Sequence, residues 1–351
     1  MSLPYLQPYL GLSNGLNTLH AAGGPGGAVG GWVELGRTTL GSSATDITVS
    51  SLPDKRYYML LHYSTGFNTN ANTHLRFNGD TGSNYSARGS FNGGSDSTDV
   101  SQNRILTGGN STATPNFDVT YIANYASKEK LVIAHNIRQR TAGSSNAPER
   151  NESVGKWANT SSAINSITNS TIANTHNSGS ELVVLGYDPL DSHTNNFWEE
   201  LASVNGDGTG GFSSGTISAK KYLWIQAWID PSTSLATRLV FNSDTGTNYA
   251  RRLSNNGGAD STGTSESNIN LHQASSVPIF TNIFIINNQS NENLVMTHSV
   301  VQNTAGSANA PTRHEVVGKW ANTSNQITDI ELNVSTGNLS TSSIMKVWGA
   351  D

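Results

Sequence analysis

The chain has 351 residues, no cysteine, a formal net charge of −5 and only 13% charged residues. The missing cysteines exclude disulfides, thiolate chemistry and zinc–thiolate sites, and without a basic stripe there is no phosphate-tracking groove for nucleic acid. No run approaches the apolar length of a membrane span, and the N-terminus lacks the basic start and apolar block of a secretory signal.

The chain opens with "PYLQPYLGLSNGLNTLH", which carries Tyr5, Leu6, Tyr9, Leu10, Leu12 and Leu16, followed by the glycine-rich "AAGGPGGAVGG". An apolar peptide on a glycine leash cannot bury itself alone, so residues 1–30 read as an arm that orders on a neighbouring subunit or a larger assembly. A segment folded back over its own first domain is the alternative.

From residue 31 onward the sequence occurs twice. "TAGSSNAPERNESVGKWANTS" (Thr141 to Ser161) returns as "TAGSANAPTRHEVVGKWANTS" from Thr304, and "KRYYML" at Lys55 matches "KKYLWI" at Lys220. Trp32 matches Trp198, and "ELVVLGYD" at Glu181 matches "IMKVWGAD" at Ile344. The repeat is far too long for a solenoid, so each copy is expected to be a domain: 31–188, a polar linker at 189–194, and 195–351. The apolar runs, such as "RYYMLLHYS", "FDVTYIANY" and "NLVMTHSVV", are short and rich in Val, Ile, Tyr and Trp. Gly, Asn and Ser clusters separate them. In "FDVTYIANY", Phe117, Val119 and Tyr121 alternate with Asp118, Thr120 and Ile122, and no segment sustains a helical period. The expected fold is all-β, with two tandem antiparallel β-sandwiches of jelly-roll type.

Two phrases inside the repeat invite a catalytic reading. "RFNGDTGSNYS" holds Asp80, Thr81, Gly82 and Tyr85, and "VFNSDTGTNYA" holds Asp244, Thr245, Gly246 and Tyr249. Two Asp-Thr-Gly loops, with "VVLG" and "KVWG" downstream, match the outline of a pepsin-like aspartic protease, whose paired carboxylates share one proton. The flanks oppose this. Asn78-Gly79 and Asn242-Ser243 are turn signals where the protease needs a buried apolar lead-in. Asp80 and Asp244 are instead expected to cap tight turns in separate domains, accepting backbone N–H bonds from Gly82 or Ser83 and from Gly246 or Thr247.

Nine histidines form no metal-binding spacing, and His135 and His298 fall in corresponding strands, where a structural role is expected. "NGGSDSTD" (Asn92 to Asp99) and "NGGADSTG" (Asn256 to Gly263) gather oxygen ligands without the spacing of a calcium site, so no cofactor or metal is assigned. Arg150, Glu152, Lys156 and Trp157 recur as Arg313, Glu315, Lys319 and Trp320. Both copies keep them, which points to the fold of each domain rather than to a catalytic centre. The chain is therefore read as a non-enzyme.

The "RFNGDTGSNYS" phrase, the "PYLGLSNGLNT" start and the Gly-Ala-Asp ending after a strand resemble virion structural proteins of tailed phages of the marine or cyanobacterial type. The resemblance implies a β-sandwich protein mounted on a particle as a capsid decoration, neck, tail or fibre component. It further implies anchoring through the N-terminal segment, other virion proteins as partners and the virion as location. Two alternatives stand beside it. One is a receptor or glycan binder on the virion surface, with Tyr85 and Tyr249 as candidate aromatics; the other is a double-jelly-roll major capsid protein. Two similar domains per chain also suggest a homotrimer with pseudo-six-fold character.

Overall fold

The computed structural model describes residues 31–111, 113–189, 196–304 and 306–351. The expected arm, with Tyr5, Leu6, Tyr9, Leu10, Leu12 and Leu16, and most of the expected linker lie outside the described residues. The first copy contains β1 (Val33–Thr39), β2 (Asp46–Ser50), β3 (Tyr57–Ser64), β4 (Ala71–Phe77), β5 (Tyr85–Phe91), β6 (Ser97–Gln102), β7 (Ile105–Ser111), β8 (Asn116–Ala123), β9 (Lys130–Arg138), β10 (Glu149–Trp157), β11 (Ser166–Thr171) and β12 (Glu181–Tyr187). The second contains β13 (Glu199–Asn205), β14 (Gly211–Ser213), β15 (Tyr222–Ile229), β16 (Thr237–Phe241), β17 (Tyr249–Asn255), β18 (Ser261–Glu266), β19 (Ile269–Asn270), β20 (Ile279–Ile286), β21 (Asn293–Val301), β22 (Thr312–Trp320), β23 (Ile330–Val334) and β24 (Ile344–Ala350). No helix occurs among the described residues.

Each copy is a sandwich of an eight-stranded and a four-stranded antiparallel sheet. The orders are β1-β12-β3-β8-β9-β10-β5-β6 over β2-β11-β4-β7 in the first, and β13-β24-β15-β20-β21-β22-β17-β18 over β14-β23-β16-β19 in the second. The chain crosses between layers at most connections, the winding of a jelly roll. Even the irregularities repeat: register shifts at Glu34/Gly36 and Tyr85/Ala87 recur at Glu200/Ala202 and Tyr249/Arg251.

The turn chemistry follows from the sequence. Asn78 and Gly79 both have positive φ (54° and 65°), as do Asn92 and Gly93 (50° and 70°). This is the backbone that Asn-Gly supplies at least cost. The Asp80 N–H closes the first turn on the Phe77 carbonyl at 2.9 Å, and the Gly94 N–H closes the second on Phe91 at 2.9 Å.

Three apolar clusters form. One lies inside the first sandwich (Tyr58, Leu60, Phe77, Trp157 and neighbours) and one inside the second (Leu223, Ile225, Phe241, Trp320 and neighbours). The third joins the copies: Met59, Leu61, Tyr63 and Phe117 of the first meet Trp198, Tyr222, Phe284 and Trp348 of the second. The two eight-stranded sheets thus pack through their outer faces, with a buried core between them. This explains the composition of β8. Phe117 and Val119 enter the core between the copies, so Asp118 and Thr120 share the side of Ile122 and point into their own sandwich.

Candidate functional site at the contact between the copies

Strand alternation places Arg150, Glu152, Val154 and Lys156 of β10 on the outer face of the first sheet, beside Leu131, Ile133, His135 and Ile137 of β9. Glu152 is directly opposite His135 in the β9–β10 register, and Glu315 is directly opposite His298 in β21–β22. Where the two faces meet, these equivalent pairs come together. The His135 and His298 rings lie 4.2 Å apart between centroids, and His298 Nε2 is 3.7 Å from Glu152 Oε1.

Arg150 ties the cluster together. Its Nη1 lies 2.6 Å from Glu152 Oε1 and donates to Glu315 Oε2 at 2.7 Å, while Nη2 donates to Asp260 Oδ1 at 2.8 Å. Burial opposes its charge, but Asp260 and Glu152 outweigh that and raise its pKa. Burial likewise opposes ionisation of Glu152, yet the His298 hydrogen bond and the Arg150 charge hold its carboxyl below the usual range. Glu315 moves the other way, raised by burial and by the Glu152 charge. Burial, with His298 nearby, lowers His135 to about 3, so its imidazole is neutral at ordinary pH.

Ligand atoms of His135, Glu152 and His298 all lie within 4.8 Å of one another, and His135 Nδ1 is buried without a partner. Two imidazoles and a carboxylate are a donor set that Zn²⁺ accepts. The adjacent cavity is only about 10 Å³, and the Arg150 guanidinium already occupies the Glu152 carboxylate. That charge opposes a dication, and the space suits a single water. The arrangement does its chemistry as a clamp: one buried cation from the first copy is held by Glu315 and Asp260 of the second.

Further polar contacts join the copies elsewhere. The Tyr222 hydroxyl donates to Glu181 at 2.7 Å, Lys221 pairs with Glu181 at 2.8 Å, and Lys319 Nζ donates to the Thr141 carbonyl at 2.6 Å. Beside the clamp, an open cleft of about 420 Å³ is bordered by Arg88, Asp96, Arg313 and Glu315.

The other repeated residues serve the individual sandwiches. Asp80 Oδ1 accepts from the Gly82 N–H at 2.8 Å, and Oδ2 accepts from Asn84 at 2.9 Å and from Trp157 Nε1 at 2.7 Å. The Phe77 N–H donates to the Tyr85 hydroxyl, which donates to the Asp80 carbonyl at 3.2 Å. The second copy repeats the brace: Gly246 N–H to Asp244 at 2.9 Å, Trp320 Nε1 to Asp244 at 2.7 Å, and the Tyr249 hydroxyl to the Asp244 carbonyl at 3.0 Å. Each aspartate is thus held within its own copy, and Thr81 and Thr245 follow them as exposed residues. Tyr85 and Tyr249 are buried, so neither offers a ring to a sugar.

Sequence reasoning placed His135 and His298 in corresponding strands but did not bring them together. The available signal was that both copies carry apolar residues on both faces of the same strands. A two-layer sandwich with one wet face has no use for them.

The chain matches no family model and no curated protein. Among solved structures it is similar to the LG4-5 domains of the mouse laminin α1 chain, at 9% identity over 93% of this chain and 91% of that one, with a TM-score of 0.21. It is also similar to Ail, the attachment invasion locus protein of Yersinia pestis, at 6% identity over 76% of this chain and 98% of that one, with a TM-score of 0.14. Likenesses at these TM-scores carry no argument about fold or function.

Proposed function

We propose that the chain is a non-enzymatic structural protein of a tailed-phage virion, anchored to its particle by residues 1–30. The observation that carries this reading is the apolar core between the copies. It fuses two sandwiches into one body without a disulfide, as a component of an assembled shell, tail or fibre needs. The repeated Asp, Trp and Tyr residues brace that body, and the Arg150 clamp locks it. The glycan-binding alternative loses its candidate aromatics, because Tyr85 and Tyr249 are interior.

The test is immunogold labelling of particles assembled with the full chain or with a chain lacking residues 1–30. The full chain is expected on the particle. The truncated chain is expected to fold, remain soluble and be missing from it. Purified particles that contain no copy of the full chain would overturn the reading.

A further inference from the structure

The contact between the copies is not reciprocal. The first copy contributes one end of its sheet face, with Tyr63, Phe117 and Ile137 at 2%, 1% and 0% exposure. The equivalent residues of the second copy, Trp228, Phe280 and Val300, are 44%, 40% and 42% exposed. The second copy contributes the other end of its face, with Leu294, Met296 and Val317 at 0%, 3% and 3%. Their equivalents in the first copy, Leu131, Ile133 and Val154, are 57%, 49% and 48% exposed. The polar partners follow the same rule. Lys319 and Glu292 pair at 3.0 Å in full burial, while Lys156 and Glu129 pair at 2.9 Å in solvent. The Arg150 side chain is 5% exposed and that of Arg313 is 60% exposed.

We propose that the chain associates head to tail with further copies of itself, its Trp228–Phe280–Val300 patch docking on the Leu131–Ile133–Val154 patch of the next copy. The outer end of the surface that the first sandwich uses to grip the second is repeated on the second, and no described residue covers it there. The patch that receives this grip is repeated on the first, again uncovered among the described residues. Counterparts of the two sides of one internal contact therefore stand exposed on every chain, and that contact is the template for their pairing. The receiving side is a trough of about 570 Å³ with Val100 and Ala87 along its border, and the docking side presents two aromatic rings, the residue type that anchors protein interfaces. Arg313, 60% exposed and paired with Glu315 of its own strand at 3.1 Å, repeats the position of Arg150, and Asp96, paired with Arg88, repeats that of Asp260. A contact of this kind joins two different patches, so it continues until a ring closes or a filament grows.

The test uses the full chain, with Trp228→Asp and Leu131→Asp as single variants. Both residues are exposed, and unchanged far-ultraviolet circular dichroism verifies folding. In sedimentation velocity the wild type is expected to form concentration-dependent oligomers. Each variant alone is expected to be monomeric, with association weakened about 100-fold or more. Mixing the two variants restores one intact pair of patches and is expected to give a 1:1 dimer that grows no further. A wild type that stays monomeric at 100-fold above the working concentration overturns the proposal. So does loss of assembly with Trp228→Asp but not with Leu131→Asp, which marks a self-complementary patch. Loss of assembly on deleting residues 1–30 alone also overturns it, because the arm and not the two patches then carries the association.

Discussion

Removing the indole N–H of Trp157 leaves Asp80 Oδ2 without its 2.7 Å donor while most of the ring volume stays in place. Trp157→Phe is expected to lower stability by about 1.5–3 kcal/mol, the range for a hydrogen bond to a charged acceptor. Asp80→Ala should cost a similar amount, and the double variant less than the sum, as read from urea midpoints in a double-mutant cycle. Additive effects would dissolve the brace. Arg150 and Arg313 give a sharper contrast, because duplication makes them equivalent in sequence and the contact makes them unequal in energy. Arg150→Ala removes the nearest cation from the buried Asp260 and Glu315, leaving only Arg252 at 3.8 Å and Arg313 at 3.1 Å, and is expected to cost about 3 kcal/mol. Arg313→Ala, at a largely exposed position whose Glu315 partner keeps Arg150, should cost about 1 kcal/mol or less. Equal losses at the two positions would contradict the clamp.

At the scale of strands and sheets, the close approach of the two layers depends on a glycine in β10 and its repeat in β22. A Cβ on Gly155 would meet Ile105 Cγ2 at 2.7 Å, and one on Gly318 would meet Ile269 Cδ1 at 2.6 Å. Gly155→Ala is expected to destabilise by about 1–3 kcal/mol through overpacking, measured by thermal melting; a neutral result would show that the isoleucine moves aside. The interior of the first sandwich differs more from its repeat. His62, Asp118, Arg138 and His176 are buried where the second copy has Ala227, Thr281, Val301 and Leu339. His62 Nδ1 contacts Asp118 at 2.6 Å, while His74 and His176 Nε2 have no protein partner, a pattern that calls for internal water. Burial, with Arg76 and Arg104 nearby, lowers His74 to about 3; burial, with His62 and His74 nearby, lowers His176 to about 2. Both are neutral in the folded chain, and the unfolded chain takes up protons as pH falls through about 6.5. Stability is thus complete above that pH and falls below it, by at most about 1.4 kcal/mol per unit for each histidine. His176→Leu, which copies Leu339, is expected to shift the acid-unfolding midpoint to lower pH. A midpoint that does not move would show that His176 takes no part in acid unfolding.

For the whole molecule, the core between the copies makes a definite statement about the connection between them. A protease site inserted at 190–195 and then cut should leave two halves that elute together, because Trp198, Tyr222, Phe284 and Trp348 remain buried against the first sheet. Separation of the halves on gel filtration would show that the covalent link, not the contact, unites them. Duplication also suggests a ring of three chains, and light scattering decides between that mass and others; a stable monomer would sink the ring and the head-to-tail contact together.

The sequence by itself determined the strands, the turns and the duplication. Asn78-Gly79 fixes a local backbone shape, alternation fixes which side chains share a face, and the repeat of Trp157 as Trp320 needs no coordinates to be seen. It also placed Asp80 at a turn, since the Gly82 N–H it captures is two residues away. Tertiary structure alone decided which face of each sheet is covered. Leu131 in "KLVIAH" and Leu294 in "NLVMTH" have similar local sequences, yet one is more than half exposed and the other is sealed. The same holds for Arg150 and Arg313. Local propensities act over a few residues and treat equivalent positions alike. Burial at the contact between copies depends on where a second sheet lies, and a contact joining unlike ends of two like faces must make equivalent residues differ.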